Sequence, residues 1–226
     1  AIKRLDDAVE QILAARRNDV LPPHAPVRDM LDVLLDPDVE QPLTAQQVRD
    51  EIVTFIVAGH ETVASALTWA WQLLARDQSA QSALATDASR SMMTFDEALR
   101  LYPPAWVITR RAIEDFDVDG FHIPAGAMVI VSPWVVHRDK DLWDSPQEFR
   151  PERFADGAPQ VGYLPFGQGP RLCIGRDMAR LEGAQVLARL AANWVVEPVH
   201  GGMAEVEASV TLRPVGGLPL RVRPRG

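Results

Sequence analysis

Hydrophobic residues recur first at helical spacing along this chain and later in short β-like alternation. Apolar positions three and four residues apart predict one helix at the start of the chain and a much longer one that ends near Arg76. The long helix opens with a capping box, Thr44-Ala45-Gln46-Gln47, in which the threonine and the glutamine can cap each other's backbone amides. Pro22, Pro23 and Pro26 are expected to end the first helix and start a loop.

Two further helices are predicted downstream. The segment "FDEALRL" has helical periodicity and is stopped by Pro103-Pro104, because proline lacks an amide proton and disfavours the helical conformation in the residue before it. A last long helix follows Cys173, with apolar residues that recur as far as Trp194.

Short strands are predicted between and after these helices. "FDVDGFHI" places an Asp-Gly turn between apolar flanks, and "AMVIVS" is rich in β-branched residues. "VEASVTL" and "LPLRVRP" lie on either side of Gly216-Gly217 and are expected to pair as a closing hairpin. The predicted fold is therefore mainly α with a minor β part, in one domain that covers residues 1–226.

Composition narrows the classes of partner. With 47% hydrophobic and 24% charged residues the chain has the balance of a folded globular protein. The 31 acidic and 23 basic residues give a net charge of −8, which argues against nucleic acid and anionic membranes as partners. The longest apolar run, "AMVIVSPWVV", is too short to span a bilayer, so no membrane span is expected. A single cysteine cannot form an internal disulfide, which favours a cytoplasmic location.

That one cysteine lies in an unusual segment, "FGQGPRLCIG", from Phe166 to Gly175. A lone cysteine is commonly a small buried hydrophobe. Here, however, glycines surround it at the start of a predicted helix, where unpaired amides and the helix dipole stabilise a thiolate that can bind a metal.

Two other motifs in the sequence are incomplete. "HETVA" has Ala64 where a zinc-binding helix needs its second histidine, and "GQGPRL" has Leu172 at the third glycine position of a dinucleotide-binding loop.

The cysteine segment resembles the haem-binding signature of the cytochrome P-450 monooxygenases, in their soluble, bacterial type. The resemblance implies that Cys173 supplies the thiolate that ligates the iron of haem b, a ligand that favours O–O bond cleavage. It also implies that Phe166 and Gly167 adjoin the haem and that Arg171 binds a haem propionate. It covers the C-terminal half of the family's fold, and a piece of a longer chain and a natural remnant both remain possible origins.

A second segment, Ala58-Gly59-His60-Glu61-Thr62, is similar to the oxygen-activation motif of the same family. The resemblance implies that Ala58 and Gly59 allow close approach to the haem, and that Glu61 and Thr62 are catalytic and relay protons to dioxygen. An alternative stays open, in which the threonine bonds back to the Ala58 carbonyl and the glutamate faces solvent.

A third match is Glu97-Ala98-Leu99-Arg100 with the later "PERF", which contains Arg153. The family resemblance implies that Glu97, Arg100 and Arg153 form a structural network of buried charges, each of which must satisfy the others. The alternative is an exposed ion pair one helical turn apart.

Looser matches complete the expected site. Arg110 corresponds to a residue that binds the second haem propionate, and the residues expected to contact substrate are Val107, Ile108, Val210 and Thr211.

The reaction that the resemblance implies inserts one oxygen atom from O2 into an apolar organic substrate, with electrons from a ferredoxin or a flavoprotein. We expect that donor to dock on a basic docking patch of Arg138, Lys140, Arg176 and Arg180. A haem-free remnant and a peroxide-driven haem enzyme are the alternatives.

Overall fold

The computed structural model of the chain describes residues 2–17, 19, 26–159, 161–199 and 201–226. The α-helices are α1 (Ile2–Arg17), α2 (Met30–Leu34), α3 (Ala45–Arg76), α4 (Gln78–Thr86), α5 (Ser91–Leu101), α6 (Pro133–Val136) and α7 (Arg176–Asn193). The strands are β1 (Ile108–Arg111), β2 (Phe116–Val118), β3 (Phe121–Ile123), β4 (Met128–Val131), β5 (Trp194–Pro198), β6 (Val206–Ala208), β7 (Leu212–Pro214) and β8 (Leu220–Pro224). The fold is mainly α with a minor β part, as predicted.

The chain divides into two compact units, Ala1–His60 and Glu61–Gly226. The boundary falls within α3, which is one continuous helix that ends at Arg76, as the sequence predicts. The predicted capping box is present at its start: the Gln47 side chain accepts from the Thr44 amide at 2.9 Å, and the Gln47 amide donates to the Thr44 hydroxyl at 3.3 Å. That the whole chain is one domain stays a prediction.

In the first unit, α1 packs on the start of α3. Val9 and Leu13 of α1 form a small core with Val48 and Ile52 of α3, so the helical periodicity of the first segment is confirmed. Asp29 caps α2 by accepting from two of its backbone amides. Pro22 and Pro23, which are predicted to end the first helix, lie outside the described residues.

In the second unit, the apolar core joins α3, α4, α5 and α7. Helices α5 and α7 come close enough that a Cβ at Gly183 would lie 2.4 Å from ring carbons of Phe95. Glycine is therefore required at position 183 because the helix backbone lies directly against an aromatic ring. This contact fixes α7, which begins just after the cysteine, on α5, the helix of Glu97 and Arg100.

Within the part of the chain that the structure describes, the strands form four separate antiparallel pairs. β2 pairs with β3 through the predicted Asp-Gly turn, where Asp119 and Gly120 have φ values of 48° and 80°. β1 pairs with β4, so that Ile108 lies opposite Val131. The predicted "FDVDGFHI" hairpin and the predicted "AMVIVS" strand are both confirmed.

One sequence prediction near the C-terminus is wrong and another is confirmed. "VEASVTL" does not pair with "LPLRVRP": β6 and β7 form their own hairpin, and β8 pairs with β5 instead. The error arises from "WVVEP", whose β-branched residues favour a strand once β8 provides the backbone partner. The predicted last helix is present as α7 and ends at Asn193, one residue before Trp194 begins β5.

One described helix, α3, is long and apolar enough to cross a membrane by length and composition alone. A core helix meets the same criterion, and Trp69, Ala70 and Leu74 in its second half are fully buried within the second unit. The sequence predicts this helix, but the expectation of no membrane span rests only on the apolar run "AMVIVSPWVV".

Candidate functional site

The cysteine loop is a tight backbone structure that ends at the start of α7. Gly167 and Gly169 have φ values of 74° and 73°, a conformation that residues with a side chain rarely adopt. The Cys173 amide donates to the Phe166 carbonyl at 2.9 Å, which closes the loop around the intervening turn. The glycines are thus needed because the chain must reverse before the cysteine.

The loop presents its thiol outwards. Cys173 is exposed and unpaired, so the alternative of a small buried hydrophobe is wrong. Its neighbours Leu172 and Ile174 are exposed apolar side chains, 40% and 75% accessible, and Arg171 is also exposed. An accessible sulfur flanked by apolar side chains and a cation fits a flat apolar macrocycle with acidic substituents, so the residues present fit a haem.

Strand β1 lies beside this loop. A Cβ at Gly167 would be 3.8 Å from Cδ1 of Ile108, so a residue predicted to contact substrate borders the glycine turn. Val107 is half-buried just before β1. Arg110 is exposed on the same strand, and its guanidinium donates to the Thr109 carbonyl at 2.9 Å. Propionate binding by Arg110 and Arg171 stays a prediction.

The network of Glu97, Arg100 and Arg153 is present in the structure. Glu97 and Arg100 are both 0% exposed, which excludes the alternative of a surface ion pair. Arg100 binds both carboxylate oxygens of Glu97, at 2.7 and 2.9 Å, and Arg153 binds Oε1 at 3.3 Å. Arg100 also donates to the carbonyls of His137, Pro146 and Glu148. The charges therefore hold the irregular segment between α6 and "PERF" against α5.

A second buried carboxylate lies next to the first and is absent from the sequence predictions. Asp96 is 1% exposed, and Arg180 of α7 donates to both of its oxygens, at 2.9 and 2.5 Å. The Tyr163 hydroxyl donates to the Asp96 carboxylate at 3.1 Å, and burial raises the pKa of that phenol well above its ordinary range. Asp96 therefore links α5 to α7 and to the segment that leads into the cysteine loop.

The predicted docking patch is smaller in the structure than in the sequence. Arg180 is used by Asp96, and Arg138 is half-buried over the ring of Trp134, 3.4 Å from its centroid. Burial lowers the pKa of Arg138 to about 10. Of the other two cations, Lys140 is exposed, and Arg176 is exposed and paired with Asp177.

His137 is a further functional candidate that the sequence predictions did not single out. It is 0% exposed, with Nδ1 3.0 Å from the Arg100 carbonyl and Nε2 accepting from the Leu164 amide at 2.8 Å. Burial lowers the pKa of His137 to about 4, so the neutral ring fills both roles. The Leu164 carbonyl in turn accepts from the Gly167 amide at 3.1 Å, so His137 connects α5 to the cysteine loop.

The oxygen-activation motif occupies the middle of α3, with Ala58 and Gly59 in the first unit and Glu61 and Thr62 in the second. Ala58 and Gly59 are exposed, and a Cβ at Gly59 would meet no described atom within 4 Å. Thr62 is half-buried. Glu61 is exposed but bonded, because its Oε1 accepts from the Thr211 hydroxyl at 2.8 Å.

The structure thus brings together two predicted site residues that lie far apart in sequence, Glu61 and Thr211. Val210, also predicted to contact substrate, is 86% exposed, whereas Thr211 is 4% exposed. Neither residue type nor local spacing could reveal this pair, since it depends on how the β6–β7 turn packs on α3.

Comparison with known proteins agrees with this arrangement. The family model described as cytochrome P-450 matches residues 1–215. Cyclooctatin synthase of Streptomyces melanosporofaciens is 32% identical over 222 residues, covering 89% of this chain and 48% of the relative. Cytochrome P-450 4d2 of Drosophila melanogaster is 31% identical, covering 100% of this chain and 52% of the relative. The chain spans about half the length of these curated relatives.

A solved structure shows the same fold. The 6-coordinated cytochrome P-450 from Thermus thermophilus is 43% identical, with a TM-score of 0.74 over 81% of this chain and 49% of its own. The described fold is therefore a cytochrome P-450 fold, present here over about half the neighbour's length. The chain belongs to the cytochrome P-450 family, which is a family of monooxygenases and implies a haem cofactor.

Proposed function

We propose that this chain forms the haem-binding half of a monooxygenase in which Cys173 ligates the iron. The observation that carries the proposal is the exposed thiol, presented by a closed glycine loop at the start of α7. Haem ligated by a thiolate supplies the O–O bond cleavage that oxygen insertion requires. The overall reaction is R–H + O2 + 2 e⁻ + 2 H⁺ → R–OH + H2O, with the electrons supplied by a ferredoxin or a flavoprotein.

The chain's own residues have separate roles in this proposal. Arg171 and Arg110 bind the propionates of haem b, while Phe166, Gly167, Ala58 and Gly59 adjoin the macrocycle. Glu61 and Thr62 transfer the two protons that leave as the hydrogens of water. An apolar substrate is supported by the exposed Val210 and by Ile108 beside the cysteine loop, with Val107 and Thr211 completing that side.

Two further parts of the proposal concern partner and location. The electron donor docks on the cysteine side, where Lys140 and Arg176 remain exposed. An acidic ferredoxin would complement these cations. A cytoplasmic location is supported by the single cysteine of the chain.

The carbon monoxide spectrum of the reduced protein tests the central claim. After reconstitution with haem, the wild type is expected to show the strongly red-shifted Soret band of a thiolate-ligated haem. Cys173→Ala should abolish that band, and Gln168→Ala, at an exposed position of the same loop, should leave it unchanged. A red-shifted band in Cys173→Ala would contradict the proposal.

A second candidate is a non-catalytic module that does not bind haem by itself. It is favoured by one observation, that the chain spans about half the length of its relatives. Failure of the wild type to bind haem under the same conditions would support this candidate.

A further inference from the structure

Three side chains on one face of α3 bind the turn between β6 and β7. Glu61, Ser65 and Trp69 are spaced four residues apart, so they lie one above the other on the helix. Glu61 accepts from the Thr211 hydroxyl at 2.8 Å. Ser65 and Trp69 both donate to the Leu212 carbonyl, Trp69 at 2.9 Å. The turn is therefore fixed at two adjacent residues by three side chains of the helix.

The same turn is held from the other side by the segment that precedes β1. The Leu212 amide donates to the Pro104 carbonyl at 3.2 Å, and the Trp106 ring nitrogen donates to the Ser209 carbonyl at 2.9 Å. Because these contacts and those from α3 converge on the turn, Thr211 has a defined position. Its hydroxyl can hold Glu61 without any movement of the helix.

The hydrogen bond between Thr211 and Glu61 involves only one oxygen of the carboxylate. Thr211 is almost fully buried and donates to Oε1 of Glu61, whose side chain is otherwise exposed. A glutamate on a helix surface has several rotamers of similar energy, and a bond to one oxygen selects among them. The bond leaves the second oxygen, Oε2, outside the contact with Thr211.

We propose that Thr211 is a positioning residue that fixes the Glu61 carboxylate for proton transfer, a role that rests on the proposed function. Val210, directly before it, is 86% exposed and is the part of the turn that a substrate can reach. A substrate that moves the turn therefore changes the same hydrogen bond. The turn couples the apolar side of the site to the acidic residue of α3.

Infrared difference spectra of the haem-free protein test the hydrogen bond itself. Comparison of wild type with Glu61→Gln identifies the carboxylate bands of Glu61. Thr211→Val, which replaces the hydroxyl by a methyl group of similar size, is expected to shift these bands, and Thr211→Ser to restore them. Bands that do not move in Thr211→Val would overturn the inference.

Turnover of the haem-loaded protein tests the role, with a ferredoxin, its reductase and NADPH as electron source and styrene as apolar probe. We measure the ratio of oxygenated styrene to oxygen consumed, the remainder appearing as hydrogen peroxide. Thr211→Val should lower this ratio roughly tenfold, because a displaced acid transfers protons poorly. In the Glu61→Gln background the same substitution should have no effect.

Thr68→Val is the matched control, since it makes the same replacement on α3 and removes a bond to the helix's own Ala64 carbonyl, at 2.7 Å, without touching Glu61 or the turn. It should leave the ratio unchanged. An equal loss in Thr68→Val, or equal losses from Thr211→Val in both backgrounds, would mean that the effect does not act through Glu61 and would overturn the inference. If the haem-loaded wild type consumes no oxygen, the proposed function fails, and the role of Thr211 fails with it.

Discussion

The residues that hold the cysteine loop in place and the exposed residues of the expected site differ in burial and in hydrogen bonding. We call Asp96, Glu97, Arg100 and His137 the buried network; all are at most 1% exposed, and each has at least two hydrogen bonds to other parts of the chain. We call Arg171, Cys173, Ile174 and Val210 the exposed set, whose side chains are accessible. The first set can be changed only at the cost of folding, whereas the second is available for chemistry.

The largest effect is expected from breaking the buried network at its centre. Glu97→Ala removes the carboxylate that pairs with Arg100 and Arg153 and leaves a buried guanidinium without its partner. The free energy of unfolding should fall by about 3–5 kcal/mol, measured by urea denaturation. Glu207→Ala, which breaks the exposed pair with Arg213, should cost far less, because solvent screens an exposed ion pair. Equal losses in the two variants would mean that burial adds nothing to the contribution of the network to stability.

The sequence predicts part of this network and misses the rest for a physical reason. Glu97 and Arg100 are one helical turn apart and Arg153 lies in "PERF", so local motifs identify them. Asp96 and His137 depend on backbone and side-chain atoms from distant segments, among them Tyr163 and Leu164, which no local pattern brings together. Burial of a polar residue is decided by packing, and periodicity does not reveal how distant segments pack.

The second-largest effect is expected in the pH dependence of the free energy of unfolding, and its cause is His137. In the unfolded chain its imidazole takes up a proton near pH 6.5, but in the folded protein only near pH 4. Between these values the unfolded state binds more protons, so stability falls as the pH falls, by roughly 3 kcal/mol over the whole interval. The charges facing the ring, those of Arg100 and Arg138, act in the same direction as burial.

His137→Asn provides the measurement. Its amide can still donate to the Arg100 carbonyl but does not reach the Leu164 amide, so the variant should be less stable than the wild type at pH 7. Urea unfolding of both proteins between pH 7 and pH 4 should show that this difference shrinks with falling pH. A stability difference that does not change with pH would show that burial does not lower the pKa of His137.

A smaller effect is expected where α5 meets α7. Gly183→Ala places a methyl group within 2.4 Å of the Phe95 ring, and overpacking of this kind costs about 1–3 kcal/mol. Gly59→Ala is the matched control, because it lies in α3 with no described atom near the new methyl group. It should stabilise the protein by about 0.5–1 kcal/mol, as alanine does in an open helix. Thermal unfolding of both variants checks the opposite signs.

If Gly183→Ala is not destabilised, Phe95 has moved aside and the contact between the two helices is looser than described. Phe95→Leu, which shortens the opposing side chain, tests the contact. With the contact intact, Gly183→Ala should cost less stability in the Phe95→Leu background than in the wild type; an equal cost in both backgrounds would show that the methyl group does not meet the ring.

Helices and the short hairpin of β2 and β3 are predictable from this sequence, whereas the pairing of strands that lie far apart in sequence is not. Caps, prolines and periodicity locate α3 and α5 because these signals are local. Which of these strands pair depends on contacts between distant segments, so the sequence prediction gives β8 the wrong partner. The isolated glycine at position 183 is a usable signal for close helix packing that the sequence predictions do not include.

The smallest effect on stability is expected at the residue with the largest expected effect on function. Cys173 is exposed, and its loop is closed by backbone bonds that do not involve the sulfur. Cys173→Ala should therefore change the free energy of unfolding of the haem-free protein by no more than about 0.5 kcal/mol. Haem titration of the same sample should nevertheless lose the thiolate spectrum. A loss of several kcal/mol would instead show that the Cys173 side chain contributes to the stability of the fold. Cys173 would then no longer belong with the exposed set.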